Sequence, residues 1–223
     1  MKTGEKLHRI YDLLSQCFGP QHWWPGETPF EVMVGAVLTQ NTSWHNVAKA
    51  INALKRHDLL DPRVLAALPV EELAAHIRPA GYFNLKAGRL RNLLHLIVEE
   101  YQGDLGRLLA EDTPRLRELL LSVRGIGPET ADSICLYAAG RPQFVIDAYT
   151  HRLLRRHGLV PEECGYEEMQ QLFMDHLEAD ARLFNEYHAL IVRLGKDYCR
   201  KTNPRCASCP LREIEPLLAD PVF

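Results

Sequence analysis

Residues 119–131 read Leu-Leu-Leu-Ser-Val-Arg-Gly-Ile-Gly-Pro-Glu-Thr-Ala, two helical patterns joined by the turn Gly125-Ile126-Gly127. Two glycines around one apolar residue allow the backbone to turn tightly and to point neighbouring N–H groups outward, which suits a phosphate oxygen. Ile126 is expected to pack back between the helices, and Pro128 to start the second helix, whose positive dipole end adds to the attraction for an anion. The stretch predicts a helical hairpin that can bind phosphate. A tight helical turn without a ligand is the alternative.

The rest of the chain follows the same helical pattern. Apolar residues recur at helical spacing almost everywhere, as in Tyr187, Ile191 and Leu194, and short segments with Gly or Pro separate these stretches. About ten helices and no sheet are predicted. Asp147 is expected to cap a helix that runs through Arg156.

The composition is that of an ordinary folded protein, because 46% of the 223 residues are apolar and 25% are charged. The longest apolar stretch, Val32–Leu38, is far shorter than the ~20 residues of a membrane helix. No apolar segment follows Met1–Lys6 to act as a signal, so we expect a cytoplasmic protein of a bacterium or archaeon.

The charges are unevenly distributed along the chain. The formal net charge is −3, but residues 161–181 hold seven acids and no Lys or Arg. Residues 193–212 hold six basic residues and one acid, so a basic face is most readily formed there. An ordinary solvated surface is the alternative.

Several motifs stand in a specific order: Leu38-Thr39-Gln40-Asn41-Thr42, then Gly81–Ala87, the hairpin, Val145-Ile146-Asp147, and Cys199-x6-Cys206-x2-Cys209. In this order they resemble the helix-hairpin-helix DNA glycosylases of the endonuclease III superfamily, over about Pro29 to Arg212. The resemblance implies an all-α fold of two helical lobes. Residues 27–141 would form a six-helix barrel lobe with the hairpin, and residues 1–26 and 142–223 a second lobe with a C-terminal cysteine loop.

The resemblance makes Asp147 the catalytic aspartate. Cleavage of an N-glycosidic bond builds positive charge on the sugar, and a carboxylate held beneath it can stabilise that charge and orient water. An N-cap role is compatible with this one, because it would fix the direction of the side chain.

Bifunctional members of the superfamily carry a lysine in the second hairpin helix, at the position of Glu129 here. A glutamate cannot form the Schiff base that their lyase reaction requires, and no lysine occurs between Lys86 and Lys196. The sequence therefore predicts a monofunctional, hydrolytic enzyme. Two roles remain for Glu129: contact with the base, or a favourable interaction with the dipole of the second hairpin helix.

All three tryptophans fall between residues 23 and 44. In the family this stretch lines the base pocket. Trp23, Trp24 and Pro25 with Trp44 resemble the 3-methyladenine DNA glycosylase III branch in particular. Alkylated purines such as 3-methyladenine are cationic, and indole faces attract cations by ~1 to 2 kcal/mol when desolvated. The branch therefore implies an alkylated base as substrate, with core packing of the tryptophans as the alternative.

Base flipping leaves a gap in the duplex that a side chain must fill. The resemblance assigns this role to Gln40 and to the loop of residues 81–85, where Phe83 or Leu85 would form the wedge; packing of these two side chains in the core is the alternative. The implied partner is double-stranded DNA with a flipped damaged base, bound by a monomer associated with the nucleoid. The acidic residues 161–181 would face away from it.

Six cysteines in an expected cytosolic chain do not suggest disulfides. Cys199, Cys206 and Cys209 match three ligands of the family's four-iron, 4Fe-4S cluster, but Glu215 occupies the fourth position. Glu215, Glu213, water or a distant cysteine such as Cys17 would complete the site. A three-iron cluster, zinc, or loss of the metal are the alternatives.

Other activities stay open at this point. A mismatch uracil or thymine glycosylase would also lack the hairpin lysine, whereas the glutamate of adenine-mismatch enzymes is replaced here by Ala36. An endonuclease III-like lyase would need an unexpected amine. A lesion-binding protein without turnover would use Asp147 only as a helix cap.

Overall fold

The computed structural model describes residues 2–23 and 26–214, so Trp24, Pro25 and Glu215 lie outside the described residues. Within those ranges there are twelve α-helices and no strand, which confirms the all-α prediction. The helices are α1 Thr3–Phe18, α2 Pro29–Leu38, α3 Trp44–Arg56, α4 Pro62–Ala67, α5 Val70–His76, α6 Phe83–His95, α7 Leu105–Ala110, α8 Thr113–Ser122, α9 Pro128–Ser133, α10 Ala148–Arg156, α11 Tyr166–His176 and α12 Ala181–Asp197.

Shorter helical segments complete the described fold. Wider π-helical turns extend α6 through Leu96–Glu100 and α9 through Ile134–Ala138. Two 3₁₀ turns cover Arg78–Ala80 and Cys206–Ser208. The twelve described helices are close to the predicted number of about ten, and α4, α5 and α7 have only six or seven residues, too few to show a clear helical period.

Aspartates and prolines start many of the helices. The carboxylates of Asp61, Asp104, Asp112 and Asp180 each accept a hydrogen bond from a backbone N–H of the following turn. Such caps satisfy donors that have no partner inside the helix, and each contributes about 1 kcal/mol. Prolines occupy the first or second position of four helices, namely α2, α4, α8 and α9.

The chain divides into two compact units, and the first comprises Met1–Trp23 with Pro142–Phe223. An aromatic cluster fills its core. The Phe144 ring is stacked on Phe173 with centroids 3.8 Å apart, and the rings of Phe184 and Tyr187 meet it edge-on. The Tyr187 hydroxyl donates to the backbone oxygen of Leu7 at 2.8 Å, which ties α12 to α1.

One glycine brings α10 and α12 close together. A Cβ at Gly195 on α12 would overlap the ring of Tyr149 on α10, so only glycine fits at this crossing. The start of α10, where Asp147 lies, is therefore held directly against α12.

The second unit is Trp24–Arg141 and contains α2 to α9. Its core is one cluster of buried residues between Phe30 and Cys135. Eight of the ten residues of α2 are buried, as expected of a helix that is apolar on all sides. Among the described residues of both units, no helix is long and apolar enough to cross a bilayer.

Candidate active site and nucleic-acid interface

Asp147 caps α10, as the sequence predicted. Its Oδ1 accepts hydrogen bonds from the backbone N–H of Tyr149 at 3.0 Å and of Thr150 at 2.8 Å, and from the Thr150 hydroxyl at 2.9 Å. Phe144, Val145 and Ile146, which precede it, are all buried. Three donors on one oxygen and a buried chain behind it fix the direction of the carboxylate.

The other carboxylate oxygen points to a histidine of the same unit. Asp147 Oδ2 lies 3.5 Å from Nε2 of His188, and the His188 side chain is only 6% exposed. The imidazole is in turn stacked on the half-buried indole of Trp23, with ring centroids 5.5 Å apart and an interplanar angle of 15°. The structure therefore brings together two predicted residues, Asp147 and Trp23, through a third, His188.

These contacts keep the carboxylate of Asp147 ionised. Burial raises the pKa of Asp147, but the positive charge that His188 carries when protonated and the hydrogen bonds from Thr150 lower it by more. The pKa of Asp147 therefore lies below its ordinary value. At neutral pH the site offers a fixed negative charge, which is what a developing cation requires.

The predicted hairpin lies in the second unit, between α8 and α9. Ile126 is 5% exposed and packs into the core, as predicted, and Pro128 begins α9. Gly125 has a φ of +98°, and a Cβ there would meet Cγ of Arg89 at 2.5 Å. Glycine is therefore required at this position both by the backbone conformation and by the neighbouring side chain.

Gln40 is bound to this turn rather than extended away from it. Its Nε2 donates to the backbone oxygen of Gly125 at 3.1 Å and to the Thr130 hydroxyl at 3.0 Å, while its Oε1 accepts a hydrogen bond from Arg89. Asn92 donates to the backbone oxygen of Arg124 at 2.8 Å. Side chains from α6 and from the turn that follows α2 thus hold the hairpin turn in place.

The loop proposed as a wedge presents its side chains unequally. Leu85 is 55% exposed and Tyr82 is 71% exposed. Phe83 is half-buried against the core, with the Arg78 guanidinium 5.9 Å from its ring centroid. Leu85 is therefore the more accessible of the two predicted wedge residues.

The indole of Trp44 packs over α2, because a Cβ at Gly35 would lie 3.3 Å from it. Trp44 is 36% exposed and borders a shallow pocket of about 280 Å³ that is also lined by Glu27, Glu31 and Lys55. Lys55 bridges the two carboxylates, at 3.0 Å from Glu27 and 2.8 Å from Glu31. Two carboxylates and one ammonium leave this pocket with a net negative charge.

Glu129 is exposed in the first turn of α9. The lysine closest to it along the chain on the N-terminal side, Lys86, is only 1% exposed. Its Nζ donates to the backbone oxygens of Leu38 at 2.9 Å and Ala80 at 2.8 Å. Burial and the charge of Arg89 lower the pKa of Lys86, but the amine is enclosed by its two carbonyl partners.

The three clustered cysteines follow α12 in the first unit. The Arg156 guanidinium donates to Sγ of Cys199 at 3.3 Å, and the backbone N–H of Leu211 donates to Sγ of Cys209 at 3.4 Å. Arg152 donates to the backbone oxygen of Cys199 at 2.7 Å, which anchors the loop to α10. Cysteine sulfurs are the ligands that an iron-sulfur cluster requires, so the residue types of this loop fit such a cluster.

Two contributors to these sites were not predicted. His188 lies on the buried face of α12, among Phe184, Tyr187 and Ile191. A single histidine among apolar residues was the only feature of the local sequence that could have indicated its role. Arg89 lies one turn after the predicted wedge loop on α6, and nothing in the sequence around it indicates that it reaches Gln40 and the hairpin turn.

Comparison with known proteins agrees with this architecture. The family model described as "HhH-GPD superfamily base excision DNA repair protein" matches residues 34–179. A candidate DNA repair glycosylase of Methanocaldococcus jannaschii is 47% identical over 212 residues, covering 94% of this chain and 96% of that protein.

Solved structures give the same result. The crystal structure of H. pylori 3-methyladenine DNA glycosylase bound to 1,N6-ethenoadenine matches with a TM-score of 0.75 and 30% identity, covering 88% of this chain and 98% of that chain. A trapped endonuclease III–DNA covalent intermediate shares the fold with a TM-score of 0.82 and 24% identity, over 96% of both chains. The chain belongs to the HhH-GPD superfamily of base excision DNA repair proteins.

Proposed function

We propose that this chain is a monofunctional DNA glycosylase that hydrolyses the N-glycosidic bond of alkylated purines of the 3-methyladenine type. The observation that carries the proposal is the buried, ionised carboxylate of Asp147, held by Thr150 and His188 beside the indole of Trp23.

Asp147 would act on charge that develops during bond cleavage. The cationic base leaves C1′ of the deoxyribose with the bonding electrons and becomes neutral, while positive charge builds on the sugar. The carboxylate stabilises that charge and orients a water molecule, whose oxygen adds to C1′ and whose proton passes through Asp147 to solvent. An alkylated base is already a good leaving group, so the site needs no strong proton donor.

Aromatic and charged groups support a cationic base as substrate. An indole face attracts a desolvated cation by ~1 to 2 kcal/mol, and Trp23 and Trp44 both have accessible surface. Within the second unit, the net negative pocket beside Trp44 would by itself attract a positive ligand. The similarity to the H. pylori 3-methyladenine glycosylase supports the same substrate class.

The proposed lack of lyase activity depends on which amines are available to attack the sugar. Glu129 stands where bifunctional relatives are expected to have lysine, and a carboxylate cannot form a Schiff base. The lowered pKa of Lys86 would favour nucleophilic attack, but its burial and its hydrogen bonds to Leu38 and Ala80 remove it from solvent. We therefore propose hydrolysis alone, with an iron-sulfur cluster at Cys199, Cys206 and Cys209 as the cofactor.

The proposal is tested by incubating the purified protein with methylated duplex DNA and, separately, with duplexes that contain uracil or thymine opposite guanine. We expect mass spectrometry to detect free 3-methyladenine, with the abasic strand left uncut and no covalent adduct trapped by borohydride. An endonuclease III serves as the positive control for trapping. Release of uracil or thymine alone would refute the substrate class, and a trapped adduct would refute monofunctionality.

The pH dependence of the site depends on His188. Replacing His188 with glutamine keeps a polar side chain but removes the positive charge that the imidazole carries when protonated, so the pKa of Asp147 is expected to rise. The acid limb of the rate of base release should then move to higher pH. NMR titration of the Asp147 carboxyl measures the same change directly. The matched control is His8→Gln, an exposed histidine on α1. An unchanged Asp147 titration in His188→Gln would exclude an electrostatic role for His188.

A further inference from the structure

The chain that leads to Asp147 is buried but is not part of a helix. Residues 142–147 have neither helical nor strand structure, and Phe144, Val145 and Ile146 among them are almost fully buried. A backbone N–H or C=O that is removed from water without a partner is costly, so a buried segment outside a helix needs hydrogen bonds from its neighbours. The groups that provide these bonds also help to determine where Asp147 lies.

Helix α11 provides such bonds from one of its faces. Nε2 of Gln170 donates to the backbone oxygen of Phe144 at 2.6 Å. The Tyr166 hydroxyl accepts a longer hydrogen bond, of 3.4 Å, from the backbone N–H of Ile146. Phe173 stacks its ring on that of Phe144. Positions 166, 170 and 173 have the spacing i, i+4 and i+7, so the three side chains lie along one side of the helix.

The amide of Gln170 is a polar group in an apolar place. Gln170 is 6% exposed, and Met169 and Phe173 are buried on the same helix. An apolar side chain of similar length would fill this space without the cost of removing an amide from water. The hydrogen bond to the Phe144 oxygen compensates for that cost, and it explains why an amide rather than a hydrocarbon occupies this position.

The rest of α11 keeps the helix in place. Its other side is exposed and carries acidic residues, among them Glu167, Glu168 and Asp175. Near its end, His176 packs on α1, since a Cβ at Gly4 would lie 3.2 Å from Cδ2 of the imidazole. The acidic part of the sequence therefore forms a helix whose inner face contacts the segment before Asp147.

We propose that Gln170 and Tyr166 are positioning residues, whose hydrogen bonds to the backbone of residues 144–146 set the location of the Asp147 carboxylate. They would act through that backbone, without contact with the substrate. The inference rests on the proposed catalytic role of Asp147, and it does not depend on which base is removed. A displacement of about 1 Å in an active site can slow a reaction about a hundredfold, so the loss of such a hydrogen bond should be measurable as a rate.

Gln170→Met tests the proposal because it removes the amide but keeps the length of the side chain. Base release in single-turnover assays at saturating enzyme is expected to slow by about 10- to 100-fold, with unchanged affinity for lesion-containing duplex. The matched control is Tyr187→Phe, which also removes one buried donor to a backbone oxygen in the first unit, that of Leu7. Both variants should lower the midpoint of urea denaturation, but Tyr187→Phe should release base at the wild-type rate.

NMR titration of the Asp147 carboxyl tests the same proposal without a substrate. In Gln170→Met the carboxyl should titrate at higher pH than in wild type, because a displaced carboxylate lies farther from the charge of protonated His188. Tyr187→Phe should leave this titration unchanged. Tyr166→Phe removes the acceptor of the longer hydrogen bond and should show both effects to a smaller degree, so it provides the test if Gln170→Met does not fold.

The outcomes separate positioning from stability. A wild-type rate and an unchanged Asp147 titration in the folded variants of Gln170 and Tyr166 would overturn the proposal. An equal loss of rate in Tyr187→Phe would also overturn it, because any weakening of the first unit would then be sufficient. If the wild-type protein released no base, the proposed function would be refuted, whereas the titration of Asp147 would still report whether Gln170 sets its position.

Discussion

Asp147→Asn is expected to slow base release by about a thousandfold, which is the size of effect seen when a preorganised electrostatic group is removed from an active site. The substitution exchanges a carboxylate for an amide of nearly the same shape. The amide has no net charge to stabilise a cationic sugar, and it cannot take a proton from water. The chemical step should therefore suffer far more than any binding step.

The fold should tolerate this change because asparagine is as good a helix cap as aspartate. The amide oxygen can still accept the hydrogen bonds from Tyr149, Thr150 and the Thr150 hydroxyl. Only the charge interaction with His188 is lost. We expect the free energy of unfolding to fall by about 1 kcal/mol or less, as measured by urea denaturation.

A matched control separates catalysis from capping. Asp180 caps α12 in the same unit, where its carboxylate accepts from the backbone N–H of Leu183 at 2.8 Å. Asp180→Asn should leave base release unchanged in single-turnover assays, and both variants should bind lesion-containing DNA. If Asp147→Asn released base at the wild-type rate, Asp147 would be only a cap and the protein a lesion binder or an enzyme with another catalytic group.

The sequence correctly predicted the features that depend on residues close together in the chain. The cap at Asp147, the start of α9 at Pro128 and the burial of Ile126 were all confirmed, because each depends on residues a few positions apart. The all-α fold followed from the helical spacing of apolar residues. The exact number of helices is harder to predict, because α4, α5 and α7 have only six or seven residues, which is less than two turns.

The partners of the site residues lie beyond the reach of such patterns. His188 meets Asp147 only because Gly195 allows α12 to pack closely on α10. Gln40 is hydrogen-bonded to residues of the hairpin that lie 85 and 90 positions later in the sequence. Each contact depends on tertiary packing, which the order of residues in one sequence does not reveal.

The hairpin itself should depend strongly on one ion pair between its two helices. Arg117 on α8 donates from Nε to Oδ1 of Asp132 at 2.7 Å and from Nη2 to Oδ2 at 3.2 Å. The Asp132 side chain on α9 is fully buried. Removing one partner of a buried pair leaves a charge that the interior cannot solvate well. Arg117→Met should therefore lower the free energy of unfolding by about 3 to 5 kcal/mol, measured by urea denaturation.

Two further variants isolate this effect. Arg115→Met removes a solvent-exposed pair with Glu118 on the same helix, and should leave the free energy of unfolding nearly unchanged. The double variant Arg117→Met, Asp132→Leu removes both charges and should recover most of the lost stability. Because Gly125 and Gly127 lie between the two helices, Arg117→Met should also weaken binding to undamaged duplex DNA at temperatures where it stays folded. A loss no greater than that of Arg115→Met would show that Asp132 does not rely on Arg117.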